Sequence, residues 1–193
     1  PTATCWSRWT GVRSLDGREV AAKFPAWANR VKGLRSTATN HITGRGWWAW
    51  FIPLKGGDVS IGVVYDQRLT ELPPGPNLGE RLRAMLTTHP MAREVMADAQ
   101  WREGDVHFRR NLAYSSSTYA TDGAVLVGDA AAFIDPFTGS GMLLALESAR
   151  IAADAIVGSV VKDRGIARLA AEYRRSYAAQ FDRRLRVCSV LRH

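Results

Sequence analysis

Hydrophobic positions along the chain alternate with a period of two in some stretches and recur at helical spacing in others. Gly46-Trp47-Trp48-Ala49-Trp50-Phe51-Ile52-Pro53-Leu54 and Val59-Ser60-Ile61-Gly62-Val63-Val64-Tyr65 are strand-like and flank Lys55-Gly56-Gly57-Asp58. A Gly-Gly turn between two such segments predicts a β-hairpin. Alternation puts Val59, Ile61, Val63 and Tyr65 on one face, and Trp48, Trp50 and Ile52 on a face of the partner strand. Leu34–Ile42 and Asp105–Tyr114 predict two further strands, completing a mostly antiparallel sheet. Arg18–Arg30 reads as a helix interrupted at Pro25. Asn77 can cap a helix carrying Leu78, Leu82, Met85 and Leu86, and His89-Pro90 opens another that runs to about Ala97.

A different pattern begins at Gly123. Ala124-Val125-Leu126-Val127 is a continuous apolar run, which predicts a strand buried on both faces and lying in a layer separate from the hairpin. Small residues and the loop Asp135-Pro136-Phe137-Thr138-Gly139-Ser140-Gly141 follow, and Met142–Val157 then continues without Gly or Pro, rich in Leu and Ala. This reads as a helix packed on that strand. A strand, a glycine-rich loop and a helix N-terminus together suit an electron-rich ligand, because glycine admits close backbone approach and the helix dipole favours negative charge. Asp129, one step beyond the run, can accept hydrogen bonds from ligand hydroxyls.

Bulk composition narrows the class. The chain has 193 residues, 46% hydrophobic and 23% charged, and so can bury one good core or two modest ones. Nothing in the sequence approaches a membrane span, and PTATCWSRWTG has no signal-peptide pattern. Cys5 and Cys188 match no metal or redox spacing, so a reduced, cytoplasmic setting is expected. His41, His89, His107 and His193 are scattered, which predicts no metal site. Ser115-Ser116-Ser117 reads as a turn, without the Gly-x-Ser-x-Gly of a nucleophile elbow.

Much of the +8 net charge sits between Lys162 and His193, with nine Lys or Arg against Asp163, Glu172 and Asp182. Leu169, Tyr173, Tyr177, Phe181 and Leu185 mark an apolar stripe through that tail, which predicts an amphipathic helix with a solvated basic face rather than a nucleic-acid contact. The expected organisation is α+β / α/β. Residues 1–114 form the sheet with covering helices, 115–160 the loop-helix unit, and 161–193 the basic helix.

Gly128-Asp129-Ala130-Ala131, then Asp135-Pro136, then Gly139-Ser140-Gly141 opening an Ala/Leu helix, resembles the second flavin-binding motif of FAD-dependent oxidoreductases of the p-hydroxybenzoate hydroxylase fold. The resemblance implies a Rossmann-like FAD domain, of which this chain holds the C-terminal part, beside an antiparallel substrate domain. It implies cofactor contacts at Gly128, Asp129, Pro136, Gly139, Ser140, Gly141 and Met142. Within them Asp129 serves the ribityl chain, Pro136 lies by the isoalloxazine, and the Gly139 and Gly141 amides face the pyrimidine edge. Trp48-x-Trp50-x-Ile52-Pro53 resembles the Trp-x-Trp-x-Ile-Pro motif of flavin-dependent halogenases, with Trp47 where a Gly is usual. Trp48, Trp50 and Ile52 are therefore expected to wall a pocket for a small aromatic or apolar organic substrate.

No Gly-x-Gly-x-x-Gly precedes these motifs, and that is the fingerprint which holds the ADP half of FAD in this fold. The chain is thus expected to be a fragment that binds FAD poorly alone, and to associate through an exposed sheet edge. FAD is the implied cofactor, with NAD(P)H the implied reductant. Three functions compete: an FAD-dependent monooxygenase or reductase, a flavin-dependent halogenase, and an interaction module with a basic helix. Tryptophan halogenases carry a catalytic glutamate just after the loop Pro, and here that position is Thr138, which has no charge. This places the halogenase second. No catalytic residue is assigned from sequence.

Overall fold

The computed structural model describes residues 2–14, 17–31, 38–121, 124–162 and 170–179. The central strand is one that the hydrophobic pattern leaves unread. Strand β1 (Thr2–Thr10) is buried on both faces at its start, Thr2 through Cys5, and alternates beyond that, with Ser7 and Trp9 buried and Arg8 and Thr10 exposed. It pairs antiparallel with β4 (Val59–Asp66) from Thr2↔Asp66 to Trp9↔Val59. The hairpin partner β3 (Trp47–Pro53) lies beyond β4, and β2 (Asn40–Gly44) beyond that. On its other side β1 pairs with β5 (Gln100–Trp101) and β6 (His107–Arg110), which completes a six-stranded antiparallel sheet.

The helices follow local chemistry. Proline disfavours helical backbone in the preceding residue, and Phe24 (φ −128°, ψ 59°) separates α1 (Arg18–Lys23) from α2 (Pro25–Val31). Asn77 caps α3 (Leu78–Leu86), its side-chain oxygen accepting the Glu80 N–H at 2.9 Å. Pro90 opens α4 (Pro90–Val95) at the position where a missing N–H costs nothing. Leu82, Met85, Leu86, Met91, Ala92 and Val95 pack with Ala3, Cys5, Trp9, Ala49, Phe51, Ile61, Val63 and Tyr65 in one core. The helices therefore cover the face of odd-numbered strand residues.

Two strand expectations are corrected here. The strand expected at Leu34–Ile42 is Asn40–Gly44, with residues 34–37 outside the described ones. Its register is set by the tight return at Gly46 (φ +78°), which pairs Gly44 with Trp47. The strand expected over Asp105–Tyr114 spans only His107–Arg110. Asn111 stops it by taking the left-handed conformation (φ +52°), which an Asn tolerates better than most residues.

After Asn111 the chain divides, into Pro1–Asn111 and Leu112–His193. In the second unit β7 (Tyr114–Ser115) pairs antiparallel with β8 (Ala132–Phe133). The strand expected at Ala124–Val127 does not form a ladder. Val125 makes a single bridge to Ala120, Ala124 and Val127 are exposed, and every pairing among the described residues is antiparallel rather than the parallel pattern of a Rossmann-like sheet. A continuous apolar run becomes a buried strand only with neighbours on both edges. Here the backbone of Leu126 is satisfied instead by the Tyr119 carbonyl and the Tyr173 hydroxyl.

The expected helix at Met142–Val157 is longer, α5 (Gly141–Lys162). Residues 170–179 are also helical, and Tyr173 and Tyr177 of the expected apolar stripe are buried with Tyr119, Ala131, Ile134 and Leu144. Leu169, Phe181 and Leu185 lie outside the described residues. Among the described residues no helix is long and apolar enough to cross a membrane.

Asp66 and Asp105 are two carboxylates through which acid should destabilise the first unit. Hydrogen bonds from Arg68 hold the Asp66 carboxyl well below the usual carboxylate range, and hydrogen bonds from Arg8 do the same for Asp105. Their folded values lie below the unfolded one, so the stabilisation is complete above about pH 4 and is lost as pH falls below it. Urea titrations at pH values from 5 down to about 2 should show Asp105→Asn starting less stable and losing less stability with acid than the parent. An unchanged acid slope would show that Asp105 carries no such linkage.

Candidate functional site

The face of the six-stranded sheet opposite the helices carries the expected pocket residues. Directly opposed residues on antiparallel strands present their side chains to the same side. Trp48 opposes Val64, Trp50 opposes Gly62 and Ile52 opposes Ser60, so these three share that face with Thr4, Trp6 and Arg8 of β1. Trp48 is buried, Trp50 half-buried and Ile52 37% exposed. Trp48 and Val64 belong to neither core cluster.

One transverse row organises the face. His107 of β6 opposes Trp6 of β1, Trp6 opposes Gly62 of β4, Gly62 opposes Trp50 of β3, and Trp50 opposes His41 of β2. At a strand spacing of about 4.8 Å, four steps take this row roughly 19 Å across the sheet. Gly62 is required at its centre. A Cβ there would stand 2.3 Å from the Trp50 ring and 2.5 Å from the Trp6 Cβ. The Trp50 ring thus lies over bare backbone, where its Nε1–H donates to Ser60 Oγ at 3.2 Å. Trp48 meets Trp50 at 5.7 Å between ring centroids and His41 at 5.3 Å, and Trp6 stacks on His107 at 5.2 Å and 28°.

Trp6 and His107 are missing from the residues expected on sequence grounds. The mix of Trp, Arg and Ser in β1 is an ambiguous local pattern, whereas Asp105 and His107, two apart, can be read as neighbours. The pairing of Trp6 with His107 cannot, since register is a property of the folded sheet.

The seven expected cofactor residues lie in the second unit. Gly128 takes φ +55° and begins a 3-10 turn, Gly128–Ala130. Its N–H donates to Ser148 Oγ at 2.9 Å, and a Cβ on it would press the Ala145 Cβ at 3.1 Å. Gly128 therefore seats the loop on α5. Asp129 is exposed beside it, and its carbonyl accepts the Tyr114 hydroxyl at 2.6 Å. Asp135 is buried and accepts the Phe137 N–H at 3.1 Å, capping the turn Pro136–Thr138. Gly139 follows in the left-handed region (φ +63°), and Thr138 Oγ1 and Ser140 Oγ lie 2.7 Å apart.

α5 starts at Gly141, so its first-turn amides have no partner within the helix. A Cβ built on Gly139 or on Gly141 meets nothing within 4 Å. The Gly139 N–H is donated to the Pro136 carbonyl at 2.9 Å, so the open donors are those of the first turn from Gly141, and at the positive end of a 22-residue helix they fit a flat ligand edge carrying partial negative charge. Met142 at 80% and Leu146 at 71% exposure leave the apolar shoulder of this helix outside the core. The underside of the loop is fixed: Tyr173 donates to the Leu126 carbonyl and Tyr177 to the Gly128 carbonyl at 3.4 Å, and burial pushes the Tyr173 phenol up to about 12.

These two features, a tryptophan face and a glycine loop opening a helix, coincide with a family-level match. A model of the tryptophan halogenase family matches residues 10–189. The chain belongs to that family. Its members include the flavin-dependent halogenase ascD of Acremonium egyptiacum, 39% identical over 117 residues, 58% of this chain and 21% of the relative. The tryptophan 2-halogenase of Chondromyces crocatus is 32% identical over 135 residues, 69% of this chain and 26% of the relative. The chain therefore spans about a quarter of the length of these relatives.

Among solved structures, the myxobacterial chondrochloren halogenase CndH superposes with a TM-score of 0.77 at 21% identity, over 97% of this chain and 40% of its own. Halogenase PltM in complex with phloroglucinol and FAD superposes at 0.73 and 19% identity, over 89% of this chain and 34% of its own. Both show the shared α+β fold. The family is one of FAD-dependent oxidative enzymes, so the general assignment from sequence stands. The uncharged Thr138 placed the halogenase second among the alternatives from sequence, whereas the family matched is that of the tryptophan halogenases.

The aromatic row yields a direct test. Gly62→Ala forces the Trp50 ring off β4, and overpacking of this kind costs about 1–3 kcal/mol. Denaturant unfolding should show that loss together with a changed near-UV circular dichroism signal. A variant with parental stability and spectrum would mean that Trp50 does not need the bare backbone.

Proposed function

We propose that this chain supplies the substrate-facing sheet and the flavin loop of an FAD-dependent halogenase acting on a small aromatic molecule. The observation that carries this reading is the tryptophan halogenase match across residues 10–189, which takes in the hairpin and the loop together. The loop geometry agrees with it. FAD, reduced with electrons from NAD(P)H and supplied with dioxygen as the oxidant, would provide the oxidising chemistry. The main-chain N–H groups of the first turn at Gly141 would meet the electron-rich edge of the ring system, where fixed donors favour the anionic reduced state, while Gly139, its own N–H bonded to the Pro136 carbonyl, would leave the approach open. Asp129 would accept hydrogen bonds from the ribityl hydroxyls, with Pro136, Ser140 and Met142 beside the ring and Gly128 seating the loop. Trp48, Trp50 and Ile52 would present an aromatic and aliphatic wall to the substrate. Such a wall contributes through burial and through offset or edge-to-face ring contacts, about 0.5–1.5 kcal/mol per aromatic pair beyond area. Phloroglucinol in the PltM complex shows one aromatic molecule held by a protein of this fold.

Thr138 stands where tryptophan halogenases carry a catalytic glutamate, so its hydroxyl, paired with Ser140, cannot supply a carboxylate. The halogenase reading therefore requires the acid-base group to come from elsewhere.

The test is flavin content and product. In the FAD-loaded protein Gly141→Val should lower the flavin-to-protein absorbance ratio most, because a β-branched side chain fills the open approach. Asp129→Ala should lower it less, since a charge-assisted hydrogen bond contributes about 1.5–3 kcal/mol. Thr138→Ala should leave it near the parental value. Supplied with reduced flavin, oxygen, halide and an arene, the parent should form a carbon–halogen bond detectable by mass spectrometry. Full flavin occupancy in both loop variants would remove the loop from the cofactor site, and hydroxylated product alone would return the monooxygenase reading.

A further inference from the structure

At one end of the aromatic row sits a pair of residues that the flavin chemistry does not use. His107 Nε2 lies 3.1 Å from Asp105 Oδ1. Asp105 is in turn held from three directions by Arg8. The Arg8 Nε donates to Oδ2 at 2.8 Å, the Arg8 Nη2 to Oδ1 at 3.1 Å, and the Arg8 backbone N–H to Oδ2 at 3.1 Å. These bonds keep the Asp105 carboxyl ionised, well below its usual range. A fixed carboxylate beside Nε2 selects the tautomer with its proton on that nitrogen, and the other ring nitrogen, Nδ1, is left as an acceptor.

The position of this imidazole matters as much as its tautomer. The His107 ring is stacked on Trp6, and in the transverse row Trp6 is followed by Gly62 and Trp50. Its side chain is 47% exposed, so the ring is open to a ligand. An aromatic molecule lying along the row would have flat rings beneath it and a single polar acceptor at the β6 end. His41, at the opposite end, meets Trp48 edge-on. At the β6 end the imidazole is held in place by Asp105, and an acceptor fixed in this way can orient a ligand.

We propose that His107, positioned by Asp105 and Arg8, is the residue that accepts a hydrogen bond from an O–H or N–H carried by the aromatic substrate, and so sets which ring edge is presented for reaction. This rests on the reading of the tryptophan face as the substrate wall. Accepting that proton's hydrogen bond also pushes electron density into the ring, which favours attack on an electrophile at the positions ortho and para to a hydroxyl. Asp105 is the positioning residue and His107 the recognising one.

Binding to the FAD-loaded protein tests this without any need for turnover, using 2-naphthol against 2-methoxynaphthalene and indole against 1-methylindole. The parent should bind a hydrogen-bond donor about 5–10 times more tightly than its methylated counterpart, the range for one neutral hydrogen bond. If only the naphthol pair shows the preference, the recognised group is a hydroxyl; if only the indole pair does, it is a ring N–H. His107→Phe should keep the affinity for the methylated arenes, because the stack on Trp6 survives, and lose the preference in both pairs. His107→Gln, whose side-chain oxygen can accept, should restore part of it.

A parent with no preference in either pair, or a His107→Phe protein that retains it, would overturn the proposal. Equal weakening of all four arenes by both substitutions would do the same, as it would mark a structural role. Failure of halogenation with the binding preference intact would overturn the halogenase reading and leave the recognition role standing.

Discussion

The pairing of β1 with β4 is the constraint on which the first unit depends. It runs from Thr2 opposite Asp66 to Trp9 opposite Val59, and a slip of one residue would exchange the two faces of the strand. In the observed register Ala3, Cys5 and Trp9 meet the helices, and Thr4, Trp6 and Arg8 join the tryptophan side. The same register places Trp6 against Gly62, which makes room for the Trp50 ring, and against His107, which completes the row. A core preference for Trp9 and a steric requirement at Gly62 thus select the same alignment from opposite sides of the sheet. Agreement between independent local preferences of this kind is what gives a sheet one structure rather than several.

Those features that depend on local chemistry were legible in the sequence. The Gly56-Gly57 turn, the Asn77 cap, the break at Pro25 and the glycine-opened α5 each follow from residues within a few positions of one another. The shared face of Trp48, Trp50 and Ile52 follows from alternation alone. What escaped was set by distant partners. β1 reads as an ambiguous mix of Trp, Arg and Ser until β4 supplies its other half. Ala124–Val127 has the composition of a buried strand, yet a strand is defined by its neighbours, and among the described residues only Ala120 bridges to it. His107 looked like an ordinary scattered histidine because Trp6, its ring partner, lies about a hundred positions earlier.

Thr138 illustrates a different limit. It is a single uncharged position within a thirty-residue likeness, and one side chain says little about the branch to which such a segment belongs. The loop around it keeps the shape a ligand edge requires, with Asp135 capping the turn, Gly139 left-handed and Gly141 open. Backbone donors can be retained whatever side chain stands at 138, so the loss of one acid does not argue against the architecture. Main-chain hydrogen-bond donation and side-chain acid-base chemistry are separable properties of such a segment.

The tyrosines beneath the loop have a consequence in time. Tyr173 and Tyr177 close hydrogen bonds onto Leu126 and Gly128 across separations of 47 and 49 residues. A ribosome adds roughly 5–20 residues per second, so several seconds of synthesis separate the emergence of the glycine turn from the arrival of the hydroxyls that hold its carbonyls. During that interval the turn is a nascent segment with its polar underside in water and its apolar neighbours uncovered. The loop can therefore reach its final shape only after the chain has been made through Tyr177.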